Sequence, residues 1–220
     1  MVRVGVLLSG CGVMDGAEIH EAVLTLLALD RAGAEAICMA PDMDQMHVIN
    51  HLTNKEVKGE RRNALVEAAR IARGNIRNIA DVKAKELDAL IIPGGFGAAK
   101  NLCTFAVDGP SCRVQPDVRR LVSEMSEVGK PMGAICISPA ILAAVLGSKK
   151  PTVTIGTDKQ TAKALEEMGA IHQDCPVDQA VTDKARKLVT TPAYMLGPSI
   201  KDVARGIEAL VAKVFELAKA

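Results

Sequence analysis

The chain has 220 residues, 49% apolar and 24% charged, with a formal net charge of +1. That composition suits a globular protein with a large core, and it gives no global field to draw the chain to nucleic acid or an anionic membrane. Aromatics are only 2%, which removes stacking platforms for single-stranded nucleic acid, and no stretch approaches the ~18 uncharged apolar residues of a membrane-spanning helix.

In chain order, VRVGVLL (2–8) is predicted as a first strand, and the N-terminus is too short to read as a signal peptide. Ile19, Ala22, Val23, Leu26 and Leu27 then follow the i, i+3, i+4, i+7, i+8 rule of an amphipathic helix. Asp15 is expected to cap it, with Glu18 at the third helical position and Gly33 at its end. EAICMA (35–40) is a second strand. Residues 41–80 form an excursion, with the polar stretch NHLTNKEVKGE followed by one helix over about 63–73. ALIIPGG (89–95) is a buried strand running into a glycine turn. A helix over 116–128, the strand PMGAIC (131–136) and a helix over 139–146 with Pro139 in its first turn come next. TVTIG (152–156) is another strand, and 157–168 is a helix closed by Gly169. A hairpin-like pair follows near 179–182 and 187–190. Ser199 and Asp202 open the last helix, whose stripe is Ile200, Val203, Ile207, Leu210, Val214 and Leu217.

Strands that are apolar throughout, alternating with helices, predict an α/β fold: a doubly wound, mostly parallel sheet in a three-layer αβα sandwich. No repeat or linker interrupts it, so residues 1–220 read as one domain. Ligands of such sheets bind beyond the carboxyl ends of the strands.

Six scattered cysteines without a C-x-x-C predict free thiols in a reducing compartment, the cytoplasm or an equivalent organelle matrix. Two of them, Cys38 and Cys136, lie in apolar runs. Cys136 stands in Ala134-Ile135-Cys136-Ile137-Ser138. Small residues two before and two after a nucleophile allow the tight strand-to-helix turn of a nucleophile elbow. The following helix N-terminus favours a thiolate, and the Ile137 N–H is placed to meet an oxyanion. A small buried core cysteine is the competing reading. Pro93-Gly94-Gly95 after the preceding strand either exposes an oxyanion-binding N–H or is a plain turn. Glu18 has a structural explanation in capping, whereas Glu21 faces either solvent or the site. Beside Cys136, a buried Glu21 would have a raised pKa and serve as donor and then base.

Gly10, Gly12 and Gly16 miss the dinucleotide-binding spacing, so no nucleotide cofactor is expected. His47 and His51 have i, i+4 spacing but no evident third ligand, so no metal is expected. Arg61, Arg62 and Asn63 could hold a carboxylate or phosphate, with solvated surface charge as the default.

Taken together, the early acid, PGGFGAAKNL and the AIC elbow resemble the ThiJ/PfpI superfamily of class I glutamine amidotransferase-like proteins. SGCGVMDGAEIHEAVLTLLAL, VINHLT, RNALVEAARIARG and VTTPAYM resemble its ElbB branch, glyoxalase-like and named for isoprenoid biosynthesis. The resemblance implies a flavodoxin-like sandwich with Cys136 as nucleophile, Glu21 as the acid touching it, and Gly95 and Ile137 as oxyanion donors. It also suggests a homodimer. Many members carry a histidine on the strand after the elbow helix, where Gly156 or Thr157 stands here. Protease and glutaminase chemistry need such a base; His20, next to Glu21, is the possible auxiliary, and His172 reads as a surface or satisfied histidine. The expected function is therefore a cofactor-independent glyoxalase-like enzyme acting on small reactive carbonyls through a Cys136 hemithioacetal. The rival is a non-catalytic redox-sensing or regulatory protein, and a glutaminase-type subunit is a weaker third.

Overall fold

The computed structural model describes residues 1–219. Strand β1 (Arg3–Leu7) leads through a long loop into helix α1 (Ile19–Arg31), and strand β2 (Glu35–Ala40) returns parallel to β1. The excursion is more structured than its polar sequence suggested. It holds a small hairpin, β3 (Ile49–Asn50) and β4 (Lys55–Glu56), helix α2 (Ala64–Ile71), and strand β5 (Arg77–Asn78). β5 pairs parallel with β2 and forms one edge of the main sheet. The segment between β2 and β5 is thus a crossover of the sheet, with α2 as its α-helix.

Strand β6 (Ala89–Ile92) then pairs with β1 on its other side. A one-turn π-helix at Ala98–Leu102 and the short α3 (Phe105–Asp108) precede α4 (Pro116–Glu127), strand β7 (Met132–Ile135) and α5 (Pro139–Leu146). Next come β8 (Thr152–Val153), α6 (Lys159–Glu167), β9 (Ile171–His172), the antiparallel pair β10 (Val181–Asp183) and β11 (Leu188–Thr191), and finally α7 (Ile200–Lys219). The seven-stranded order is β10-β11-β7-β6-β1-β2-β5, parallel except for β10.

The strand expected at 152–156 is not in this sheet. Only Thr152 and Val153 are extended, and they pair with β9 in a separate two-stranded ribbon. Side chains of the neighbouring strands take the backbone donors that a ladder would use: Asp183 Oδ2 accepts from Thr152 N–H at 2.9 Å, and Thr190 Oγ1 accepts from Thr154 N–H at 2.8 Å.

Both faces of the sheet are covered, and the period-two alternation divides the core. Leu90, Ile92, Met132, Ala134 and Leu188 pack under α4 and α5. Val4, Val6, Ala89, Ile91 and Val189 pack under α1 and α7. The fold is the three-layer αβα sandwich. Chain order reverses between β1 and β6, and open α/β sheets bind ligands at the carboxyl ends beside such a reversal.

Candidate active site

β7 ends at Ile135, and Cys136 follows with φ of 61°, the left-handed region that a non-glycine residue rarely occupies. Such a conformation costs about 1–3 kcal/mol and persists only where surrounding contacts enforce it. Here Cys136 N–H donates to Thr191 O on β11 at 3.0 Å, Ser138 N–H donates to Ile135 O at 3.0 Å, and Ser138 Oγ donates to Pro93 O at 2.7 Å. The small Ser138 of the elbow pattern therefore also ties the turn after β7 to the turn after β6.

Cys136 is 7% exposed, and its thiol faces the Glu21 carboxyl, which is fully buried in the first turn of α1. Glu21 Oε2 accepts from Gly94 N–H at 2.8 Å and Oε1 accepts from Tyr194 N–H at 3.3 Å. The close approach requires glycine at 94: a Cβ there would lie 2.5 Å from Cys136 Cβ and 2.7 Å from Glu21 Oε2. Burial and the neighbouring Glu18 push the Glu21 carboxyl up to about 8, against the pull of those two N–H groups and the thiol. Burial and the Glu21 charge push the Cys136 thiol well above its ordinary value, opposed by the N–H groups of Gly95 and Ile137, which point at the sulfur. The thiolate expected from the helix terminus alone is thus overridden by burial, and the acid and thiol behave as one coupled unit.

Glu18 caps α1 in place of Asp15. Its Oε2 accepts from Glu21 N–H at 2.7 Å. Asp15 is occupied elsewhere, accepting from Ile49 N–H at 2.7 Å. Above the sulfur opens a cavity of about 520 Å³, walled by Glu18, Gly95, Phe96, Phe105, Ile137 and Tyr194 among others.

The predicted residues Cys136, Glu21, Gly95 and Ile137 are therefore brought together. His20 is exposed and reaches the site only through its Nδ1, 2.7 Å from Tyr194 Oη. Tyr194 was not singled out in the sequence; it arrives on the turn after β11, where Ala193 has φ of 44°. At Gly156 any side chain would meet Leu196, whose Cγ lies 2.6 Å from an ideal Cβ. Leu196 fills the space where the family's usual histidine would start. His172 is satisfied away from the cavity, its Nε2 accepting from Ile155 N–H at 3.3 Å. His51 Nε2 accepts from Met14 N–H, and among the described residues no cluster suited to a metal ion occurs. Arg61 pairs with Asp44, Arg62 with Glu60, and Asn63 caps α2, so this trio is outside the cavity.

A strained cysteine elbow facing a buried acid, on a doubly wound parallel sheet, defines the class. The chain belongs to the DJ-1/PfpI family, whose match covers residues 11–196. Human glutamine amidotransferase-like class 1 domain-containing protein 3, mitochondrial, is 47% identical over 98% of this chain and 83% of its own length. The zebrafish ES1 protein, mitochondrial, is 32% identical over 88% of this chain and 77% of its own. Among solved structures, an isoprenoid biosynthesis protein with an amidotransferase-like domain from Ehrlichia chaffeensis superposes with a TM-score of 0.92, at 39% identity and 99% coverage of both chains. The cytoplasmic location expected from the thiols is corrected by these relatives, which are named mitochondrial. Free thiols report a reducing compartment and do not distinguish cytosol from organelle matrix.

Proposed function

We propose that the protein is a cofactor-independent glyoxalase-like enzyme that converts small 2-oxoaldehydes to 2-hydroxy acids. The observation that carries this reading is the Glu21 carboxyl, held by two N–H groups against the Cys136 thiol at the floor of an apolar cavity. In its ionised form Glu21 takes the thiol proton as the sulfur adds to the aldehyde carbon. The hemithioacetal oxygen lies against the Gly95 and Ile137 N–H groups. Transfer of a proton from the former aldehyde carbon to its neighbour gives a thioester, and water releases the 2-hydroxy acid. An aldehyde has no amine leaving group to protonate, so this chemistry is compatible with a cavity that no histidine lines.

The same missing histidine favours, as a second reading, a non-catalytic redox-sensing or regulatory protein that uses Cys136. It weighs against a glutaminase-type subunit. The test is lactate formation from methylglyoxal. Multiple turnover by the native protein, lost in both Cys136→Ser and Glu21→Gln, is expected. Product below one equivalent per chain, with peroxide-sensitive binding to a partner, would replace the first reading by the second.

A further inference from the structure

The cavity above Cys136 is far larger than methylglyoxal needs. Its 520 Å³ falls within the ~300–1,000 Å³ of pockets that bury much larger organic ligands. Val13, Phe96, Ala99, Phe105, Ile137 and Met195 supply its apolar wall. Two of these, Phe96 and Val13, are left 47% and 38% exposed at the mouth. The backbone fixes them there: Phe96 N–H donates to Val13 O at 2.7 Å, and Gly97 N–H donates to Gly16 O at 2.9 Å. Lys100 braces the same rim, its Nζ donating to Met14 O at 3.0 Å and lying 5.1 Å from the centre of the Phe96 ring. Among the described residues that line the cavity, none is a lysine, arginine or histidine. Glu18 is a carboxylate on that wall, 8% exposed, with Oε2 taken by the Glu21 N–H. A second carboxylate entering the cavity would therefore meet like charge and no lining cation to offset it.

We propose that the site takes 2-oxoaldehydes whose substituent is an uncharged hydrocarbon longer than methyl, and that Glu18 excludes those ending in a carboxylate. The reactive end of the molecule is that of the glyoxalase-like reading, on which this inference rests. Recognition of the other end needs no turnover. With the aldehyde carbon at the Cys136 sulfur and its oxygen at the Gly95 and Ile137 N–H groups, the substituent is left to the cavity. Each methylene laid against the apolar wall leaves water, which is worth about fourfold in affinity. The same substituent covers the open faces of Phe96 and Val13. A carboxylate has the opposite effect. It loses its hydration against hydrocarbon and faces the Glu18 charge at short range. Glu18 is thus a specificity-determining residue, separate from the acid–thiol pair at the floor.

The test has two arms on the full-length protein. The first measures kcat/KM for 2-oxoaldehydes bearing methyl, propyl and pentyl groups, and a rise of about fourfold per methylene is expected. The second needs no turnover: butanamide, hexanamide and hexanoate are titrated as protectants of Cys136 against iodoacetamide at fixed pH. Hexanamide should protect at a concentration roughly fifteenfold lower than butanamide, which has two methylenes fewer. Hexanoate should need roughly tenfold more than hexanamide. Glu18→Gln keeps an acceptor for the Glu21 N–H and should narrow that amide-to-carboxylate ratio. Phe96→Ser should flatten the gain with chain length. Ratios taken within each variant cancel any change in folding or in Cys136 reactivity. A flat series in either arm, or hexanoate protecting as well as hexanamide, would overturn the proposed class and leave turnover of methylglyoxal standing on its own. No turnover of any aldehyde beside a steep amide series would sink the enzyme reading instead, with the cavity still a site for uncharged apolar ligands.

Discussion

Cys38 and Cys136 look alike in the sequence. Each is a single thiol in an apolar strand, and each is buried, both 7% exposed. Their surroundings differ in everything else. Cys38 lies within β2, opposite Val6, and packs in hydrocarbon. Burial alone pushes its thiol to about 11. Cys136 stands one residue past its strand in a left-handed conformation, with a carboxyl, two N–H groups and a cavity around the sulfur. Burial thus says little about whether a cysteine is reactive. What separates the two is the backbone turn and the polar groups converging on it.

The largest effect should come from erasing that difference. Gly94→Ala places a methyl group between the Cys136 and Glu21 side chains. We expect it to cut any Cys136-dependent turnover by roughly 10²-fold or more, the scale of a lost acid–base group. Melting of the variant under native buffer, compared with its rate, separates this from unfolding. A Gly94→Ala protein with native rate would show that the acid and thiol do not act together.

A second effect concerns stability, because only the Cys136 region buries a titratable acid of this kind. The Glu21 carboxyl goes from an ordinary value of 4.5 to about 8 on folding. The folded state therefore holds a proton that the unfolded state has released. The stability this gives is fully present below the unfolded pKa and is lost as pH rises from 4.5 through about 8. Glu21→Gln cannot ionise and should escape the loss. Urea unfolding should find it more stable than the native protein above pH 8 by a few kcal/mol, because each tenfold change in proton affinity is worth about 1.4 kcal/mol. The gap should close near pH 4.5. An equal gap at both pH values would contradict a buried, proton-holding acid.

The smallest effect tests the tie between the two turns. Ser138→Ala removes the donor to Pro93 O and should cost about 1–3 kcal/mol, leaving a buried carbonyl unpartnered. No equivalent variant around Cys38 should touch Cys136 reactivity.

Much of this was legible locally. The elbow is written in Ala134, Cys136 and Ser138, because steric limits on a tight turn act over two residues. The sheet is written in strands whose two faces are both apolar. What could not be read depends on partners distant in the chain. Asp15 is a good cap by local rules, but Ile49 N–H claims its carboxylate, and Glu18 takes the cap instead. TVTIG reads as a strand until Asp183 and Thr190 intercept its donors. Tyr194 carries no motif of its own, and its N–H matters only because β11 lies beside β7.

The central claim is that Glu21 governs the ionisation and reactivity of Cys136. The direct measurement is the rate of iodoacetamide alkylation at Cys136 against pH, in the native protein and in Glu21→Gln, with Cys38 followed in the same digests. A step near pH 8 at Cys136, absent from Glu21→Gln and never seen at Cys38, is the expected result. An identical Cys136 profile in the two proteins would contradict the account.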